Sequence, residues 1–261
     1  MVPCIHGFLP ADVINFTLLP ITQAGFVVVT VAAYGWTLYT FSQGMSAAGF
    51  SAERKQRTLL GPLLVLSAWV LFVSVVSRRG FFSDFSMFPP RMAIVFLVPL
   101  VPVLILTFSK SLKAILTHIP AQNIIRLQVF RVLVEILLWM LVLQKLLPVQ
   151  MSFEGRNFDV LTGLTAPLVV WLMARTKWSP AFALAWNVAG LLLLFNIVVI
   201  AILSMPTPLR YFMNEPANTI VTTFPCIWLP GLLVPLAYAL HFFSIRQILT
   251  RKKSEGLGNY A

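Results

Sequence analysis

An all-α, polytopic transmembrane helix bundle of seven spans is the fold this sequence predicts, and three observations predict it. Seven apolar stretches run through the 261 residues, and six reach the roughly 20 residues that a helix needs to cross a bilayer. The composition is 59% hydrophobic and 10% charged, with a mean hydropathy of +0.88, so lipid and not water suits the folded chain as solvent. The runs are continuous rather than alternating, and inside lipid only helices or closed barrels satisfy their own backbone, so a helix bundle follows.

Taken in order, the predicted spans cover residues 15–42, 59–77, 91–109, 122–147, 159–178, 180–204 and 226–249. The Gly-rich stretch from Gly44 to Gly49 connects the first two, and its basic continuation Arg54-Lys55-Gln56-Arg57 suits anionic headgroups. Phe88-Pro89 opens the third span and Phe224-Pro225 the seventh, while Pro120 and Pro148 bracket the fourth. The fifth is short and reaches spanning length only if it runs from Asp159 to Trp178. Residues 1–253 form one transmembrane domain on this reading, and 254–261 a short flexible cytoplasmic tail.

Orientation follows from Lys and Arg alone. Of the 19, 13 fall in loops and span ends on one side, among them Arg54, Lys113, Arg175, Arg246 and the run Arg251-Lys252-Lys253. The positive-inside rule places that side in the cytoplasm and the N-terminus outside, which requires an odd number of spans. No cleavable signal is expected, because nothing basic precedes the first apolar run. The net charge of +11 is spread through these short loops rather than gathered on one face, so topology accounts for it and nucleic acid is not an expected partner. Cys4 and Cys226 both fall outside, where free thiols are the default expectation.

Internal similarity adds a clue. Phe88-Pro89 is followed by Leu97-Val98-Pro99-Leu100, and Phe224-Pro225 by Leu233-Val234-Pro235-Leu236, with equal spacing. The echo suggests a parallel 3+1+3 arrangement with the fourth span as linker; chance recurrence of abundant residues stays open beside it.

The polar residues in the spans are few. The fourth span carries Arg131 and Glu135, four apart on one face, and charge at membrane depth is expected to face the bundle interior or a wet cavity. They are read either as a substrate or proton site or as a structural pair fixing helix packing. Asn187 and Asn196 in the sixth span and His241 in the seventh are further candidates, with interhelical hydrogen bonding as the alternative and a His241–Glu135 proton relay as the functional reading. Outside, Met151 to Asp159 (MSFEGRNFD) packs Glu154, Arg156, Asn157 and Asp159 into one short loop. It is read as a rim over the bundle mouth, completed by Asn218, or as a self-contained cap in which Asp159 receives helix amides and Arg156 pairs with Glu154.

No cofactor and no metal are expected. No lysine lies between Val234 and Ile245 for retinal, no paired intramembrane histidines for haem, and no metal-ligand spacing or Gly-rich phosphate loop is present.

The stretches MSFEGRNFD at 151–159, LTGLTAP at 161–167, AWN at 185–187, SMPTP at 204–208 and FPCIWLP at 224–230 resemble those of a group of uncharacterised bacterial integral membrane proteins. The resemblance covers roughly residues 125 to 250. It implies a bacterial cytoplasmic (inner) membrane and carries over neither a reaction nor catalytic residues. Three functions stay open: binding or transport of a small or lipophilic molecule in an intramembrane cavity, an intramembrane enzyme acting on a lipid or isoprenoid with Glu135 or Asp159 as general acid, and a structural or assembly subunit. Membrane lipids are expected partners throughout.

Overall fold

A computed structural model describes residues 11–175 and 180–258, with side chains described between 18 and 251. Cys4, His6 and the Trp178 end of the fifth predicted span lie outside the described residues. The described chain contains no strand. Its α-helices are α1 (Ala11–Ala47), α2 (Ala52–Arg78), α3 (Met92–Phe108), α4 (Lys110–Leu116), α5 (Ala121–Leu127), α6 (Phe130–Leu143), α7 (Val160–Arg175), α8 (Pro180–Leu203) and α9 (Val234–Gly258). The backbone of residues 254–258, expected as tail, continues α9.

Among the described residues four helices are long and apolar enough to cross a membrane: Leu18–Ala47, Ala52–Arg78, Pro180–Leu203 and Leu229–Arg251. A fifth is made by α3 and α4 if that pair, bent by 71°, counts as one span. Segment 122–147 folds not as one rod but as α5 and α6, and α7 has 16 residues. No proline or glycine sits at the α5–α6 break. Instead the ladder tightens, with Gln128, Val129, Arg131 and Val132 each donating to the carbonyl three residues back. Lys145 closes α6 in the left-handed region at φ 55°, and the Leu146 amide reaches back to the Leu141 carbonyl at 3.0 Å, a Schellman-type end.

Helix α9 is the central column, with α3, α4, α5 and α8 packed on it. At the other extreme α2 turns Leu64, Val65 and Leu71 outward, each at least 60% exposed. An apolar surface of this kind calls for lipid around it.

Prolines shape the column. A π-helical turn, Leu229–Leu233, leads into α9, and Pro235 has no N–H to offer the Gly231 carbonyl four residues before it. Trp69 supplies the missing donor, its Nε1 lying 3.0 Å from that carbonyl. Tyr34 likewise donates to the Leu232 carbonyl at 3.1 Å, so α1 and α2 are tied to the irregular backbone that a buried column would otherwise leave unsatisfied. The Phe88-Pro89, Glu215-Pro216 and Phe224-Pro225 bonds are cis.

At the far end α9 closes the turns of its neighbours. Gln247 donates to the Ile119 carbonyl at 2.6 Å and also to that of Leu116, Arg246 donates to the Thr107 carbonyl, and Arg251 donates to Ile119 at 3.1 Å. These carbonyls lie where α3 and α4 end, and helix ends leave such acceptors without intrahelical partners.

Candidate functional site

Position 131 is the second residue of α6, facing α7 and α9. Arg131 is only 3% exposed there. Its Nε donates to Asp159 Oδ2 at 2.8 Å, its Nη2 pairs with Asp159 Oδ1, and its Nη1 lies 2.8 Å from His241 Nε2. The pair is thus bidentate, the geometry that suits a guanidinium to a carboxylate. A guanidinium only donates, so His241 Nε2 must accept, which leaves the proton on Nδ1. That N–H donates to Asn187 Oδ1 at 3.0 Å, and the Asn187 amide then donates to Ser244 Oγ at 3.0 Å and to the Ala183 carbonyl at 2.8 Å. One chain of bonds, Asp159–Arg131–His241–Asn187–Ser244, links α6, the start of α7, α8 and α9, with every hydrogen assigned by the one before it. Trp186 packs on the imidazole with ring centroids 5.7 Å apart and donates its own N–H to Thr165 at 3.0 Å.

Glu135 lies one turn further along α6 and stands apart from this chain. Its Oε1 accepts from the Phe153 backbone N–H at 2.5 Å, and its Oε2 from the Asn157 side-chain amide. Asn157 is held by the Met151 carbonyl at 3.1 Å and accepts from the Asp159 N–H at 3.1 Å. Residues 151–159 therefore fold onto the end of α6 instead of standing clear of it. Gly155 permits this fold: a Cβ there would run into the Val149 carbonyl and the Gln150 backbone.

Several pairings expected from the sequence are corrected by this geometry. Arg131 and Glu135 share a face but do not pair, because Asp159 supplies the bidentate acceptor that Glu135, projecting from the same helix, does not. His241 is bonded to Arg131 and Asn187 and has no bond to Glu135, which removes the proposed relay. Glu154 accepts from Trp139 Nε1 at 2.8 Å, while Arg156 lies over the Phe212 ring at 5.3 Å, so these two do not pair either. Asp159 serves Arg131 instead of capping α7.

A cavity of about 320 Å³ lies between α3, α6, α8 and the entry of α9. Its walls are mostly apolar, from Phe96, Leu138, Ile197, Leu233 and their neighbours. The polar side chains on them are Arg131, Glu135, Asn157, Asp159, Thr207 and Asn218. Phe88, Leu97, Ile202 and Leu209 line the cavity and are also exposed, which marks its mouth between α3 and α8. Of the residues singled out from sequence, Arg131, Glu135, Asn157, Asp159 and Asn218 meet at this cavity. Asn187 and His241 stand behind Arg131, and Glu154 is turned to Trp139. Asn196 donates to the Arg156 carbonyl at 3.0 Å, tying α8 to the loop.

Sequence reasoning missed Ser244 and the neighbouring Gln150–Ser204 and Asn214–Gln150 bonds, at 2.9 and 2.8 Å. Ser244 follows His241 by three and shares its helix face, so that spacing was a usable signal. Gln150, Ser204 and Asn214 are brought together only by loop geometry. Among the described residues no three His, Cys, Asp or Glu side chains converge as metal ligands.

Fold and site together define a multi-pass helical membrane protein with a buried polar network beside an apolar cavity. The chain belongs to the family defined by the domain of unknown function DUF8737, whose model matches residues 89–249. That match begins just before α3 and runs into α9, so it includes every residue lining the cavity except Phe88. No curated protein and no solved structure matches the chain.

Proposed function

We propose that this protein binds a small lipophilic molecule in the cavity between α3, α6, α8 and α9, as a carrier or binding bundle of a bacterial inner membrane. The observation that carries this reading is the cavity itself: apolar walls, a mouth lined by exposed apolar side chains, and a few polar side chains among the lining. Ligand sites commonly combine a large apolar surface with a few fixed polar groups. The carboxyl of Glu135 accepts a hydrogen bond at each oxygen, which holds it as a fixed acceptor and favours binding over a general-acid role. The finer topology belongs to the same reading: seven spans, with α3–α4 and α5–α6 each counted once, the N-terminus outside, the basic end of α9 in the cytoplasm, and a 3+1+3 arrangement relating α3 to α9.

Filling the cavity tests it. Ala201 lines the cavity from α8, and Ala201→Phe is expected to abolish binding of a hydrophobic probe such as dodecan-1-ol to protein in lipid nanodiscs, with the melting profile retained. Unchanged probe binding in the folded variant would place the ligand elsewhere.

A further inference from the structure

The charges on the cavity wall do not balance. Among the described residues Arg131 is the sole cation lining it, against two acids, Glu135 and Asp159. Arg131 is committed to Asp159 through Nε and Nη2 and to His241 through Nη1. The two donors that reach Glu135, the Phe153 N–H and the Asn157 amide, are both neutral. Glu135 is 3% exposed and forms no ion pair among the described residues. Taking a carboxylate out of water without a counter-charge is costly, and a ligand that brings one offsets the cost.

A second observation points the same way. Asn218 lines the cavity and is fully buried, and among the described residues its Oδ1 accepts no hydrogen bond. Its orientation is fixed, since its amide nitrogen donates to the Ala201 carbonyl at 3.1 Å and its backbone N–H to the Ser204 carbonyl at 2.8 Å. The residues lining the cavity therefore include one with an uncompensated carboxyl and one with an unused amide oxygen, both acceptors.

Resting on the binding reading above, we infer that the ligand is a single-chain amphiphile with a protonated primary amine as its head. The ammonium supplies the missing charge and N–H donors to Glu135 and Asn218, and the chain lies along the apolar walls and leaves through the mouth between α3 and α8. A fatty acid brings a third negative charge to the wall and is rejected. A quaternary ammonium brings charge without a donor and binds less well than the primary amine.

The test is a head-group series on the full chain in nanodiscs at about pH 8, where an alkylamine stays protonated and a fatty acid ionised. Saturation binding of radiolabelled dodecylamine, dodecyltrimethylammonium, dodecan-1-ol and dodecanoate is measured, with empty nanodiscs subtracted. Dodecylamine is expected to bind at least about tenfold more tightly than dodecan-1-ol, with dodecanoate weakest. Glu135→Gln should bring amine and alcohol within a few-fold of each other. The inference is overturned if the alcohol or the fatty acid binds the wild-type protein as tightly as the amine, or if folded Glu135→Gln keeps the amine preference. Binding of the alcohol with no preference for the amine leaves the binding reading standing and removes the inference alone. Binding of none of the four removes both.

Discussion

Arg131→Ala is expected to cost most of the folded protein. The substitution leaves Asp159, whose side chain is only 13% exposed, with its charge uncompensated and deprives the buried His241 Nε2 of its donor. Breaking a buried pair from one side typically costs about 3–5 kcal/mol, a large share of the 5–15 kcal/mol by which soluble domains are stable. The readout is the thermal unfolding midpoint and the monodisperse fraction in mild detergent. Arg131→Lys is expected to fail nearly as badly, because a lysine brings the charge but not the fork that serves Asp159 and His241 together. The double variant Arg131→Ala with Asp159→Ala should be more stable than Arg131→Ala alone, since no charge is then stranded. Additive losses in that cycle would show that the two side chains are not coupled.

Gly190→Ala is expected to be the most damaging methyl group that can be added to α8. A Cβ at this position would collide with the imidazole of His241 and crowd Thr162 Cγ2. The ring has nowhere to go: Arg131 holds one nitrogen, Asn187 holds the other, and Trp186 covers a face. Overpacking of this kind costs typically about 1–3 kcal/mol, and here it also pulls the His241 bonds out of line. The check is a suppressor experiment. In a His241→Ala background the collision with the ring is gone and only the Thr162 contact stays, so Gly190→Ala should cost much less there. An equal loss in both backgrounds would mean that α8 and α9 separate for another reason.

Much of the bundle was legible in the sequence because hydropathy and charge act locally along the chain. The seven apolar segments fall mostly on helices where the residues are described, with the fourth divided between α5 and α6; Arg131 and Glu135 were singled out by type and depth, and Asn157, Asp159 and Asn218 by their place in polar outer loops. Their pairing was not legible. Helical spacing put Arg131 beside Glu135, but a partner 28 residues away, delivered by the fold of residues 151–159, forms a better fork than a side chain on the same helix. The break between α5 and α6 was equally hidden. No proline or glycine announces it, and a run of apolar residues reads the same whether the ladder tightens or continues. Pro235 gave the opposite case, since a proline in the last span predicts a stranded carbonyl, although nothing in the sequence says that Trp69 would serve it.

The arginines of α9 carry two tasks separated in time. On the topology proposed above, Arg246 and Arg251 count as charge during insertion, and any cation would count the same way. After folding they become caps on the carbonyl ends of other helices, a task for which the shape of the guanidinium matters. Orientation and stability are therefore written in the same letters. Lysine in place of these arginines separates the two: the protein should thread the membrane the same way round, and then melt earlier.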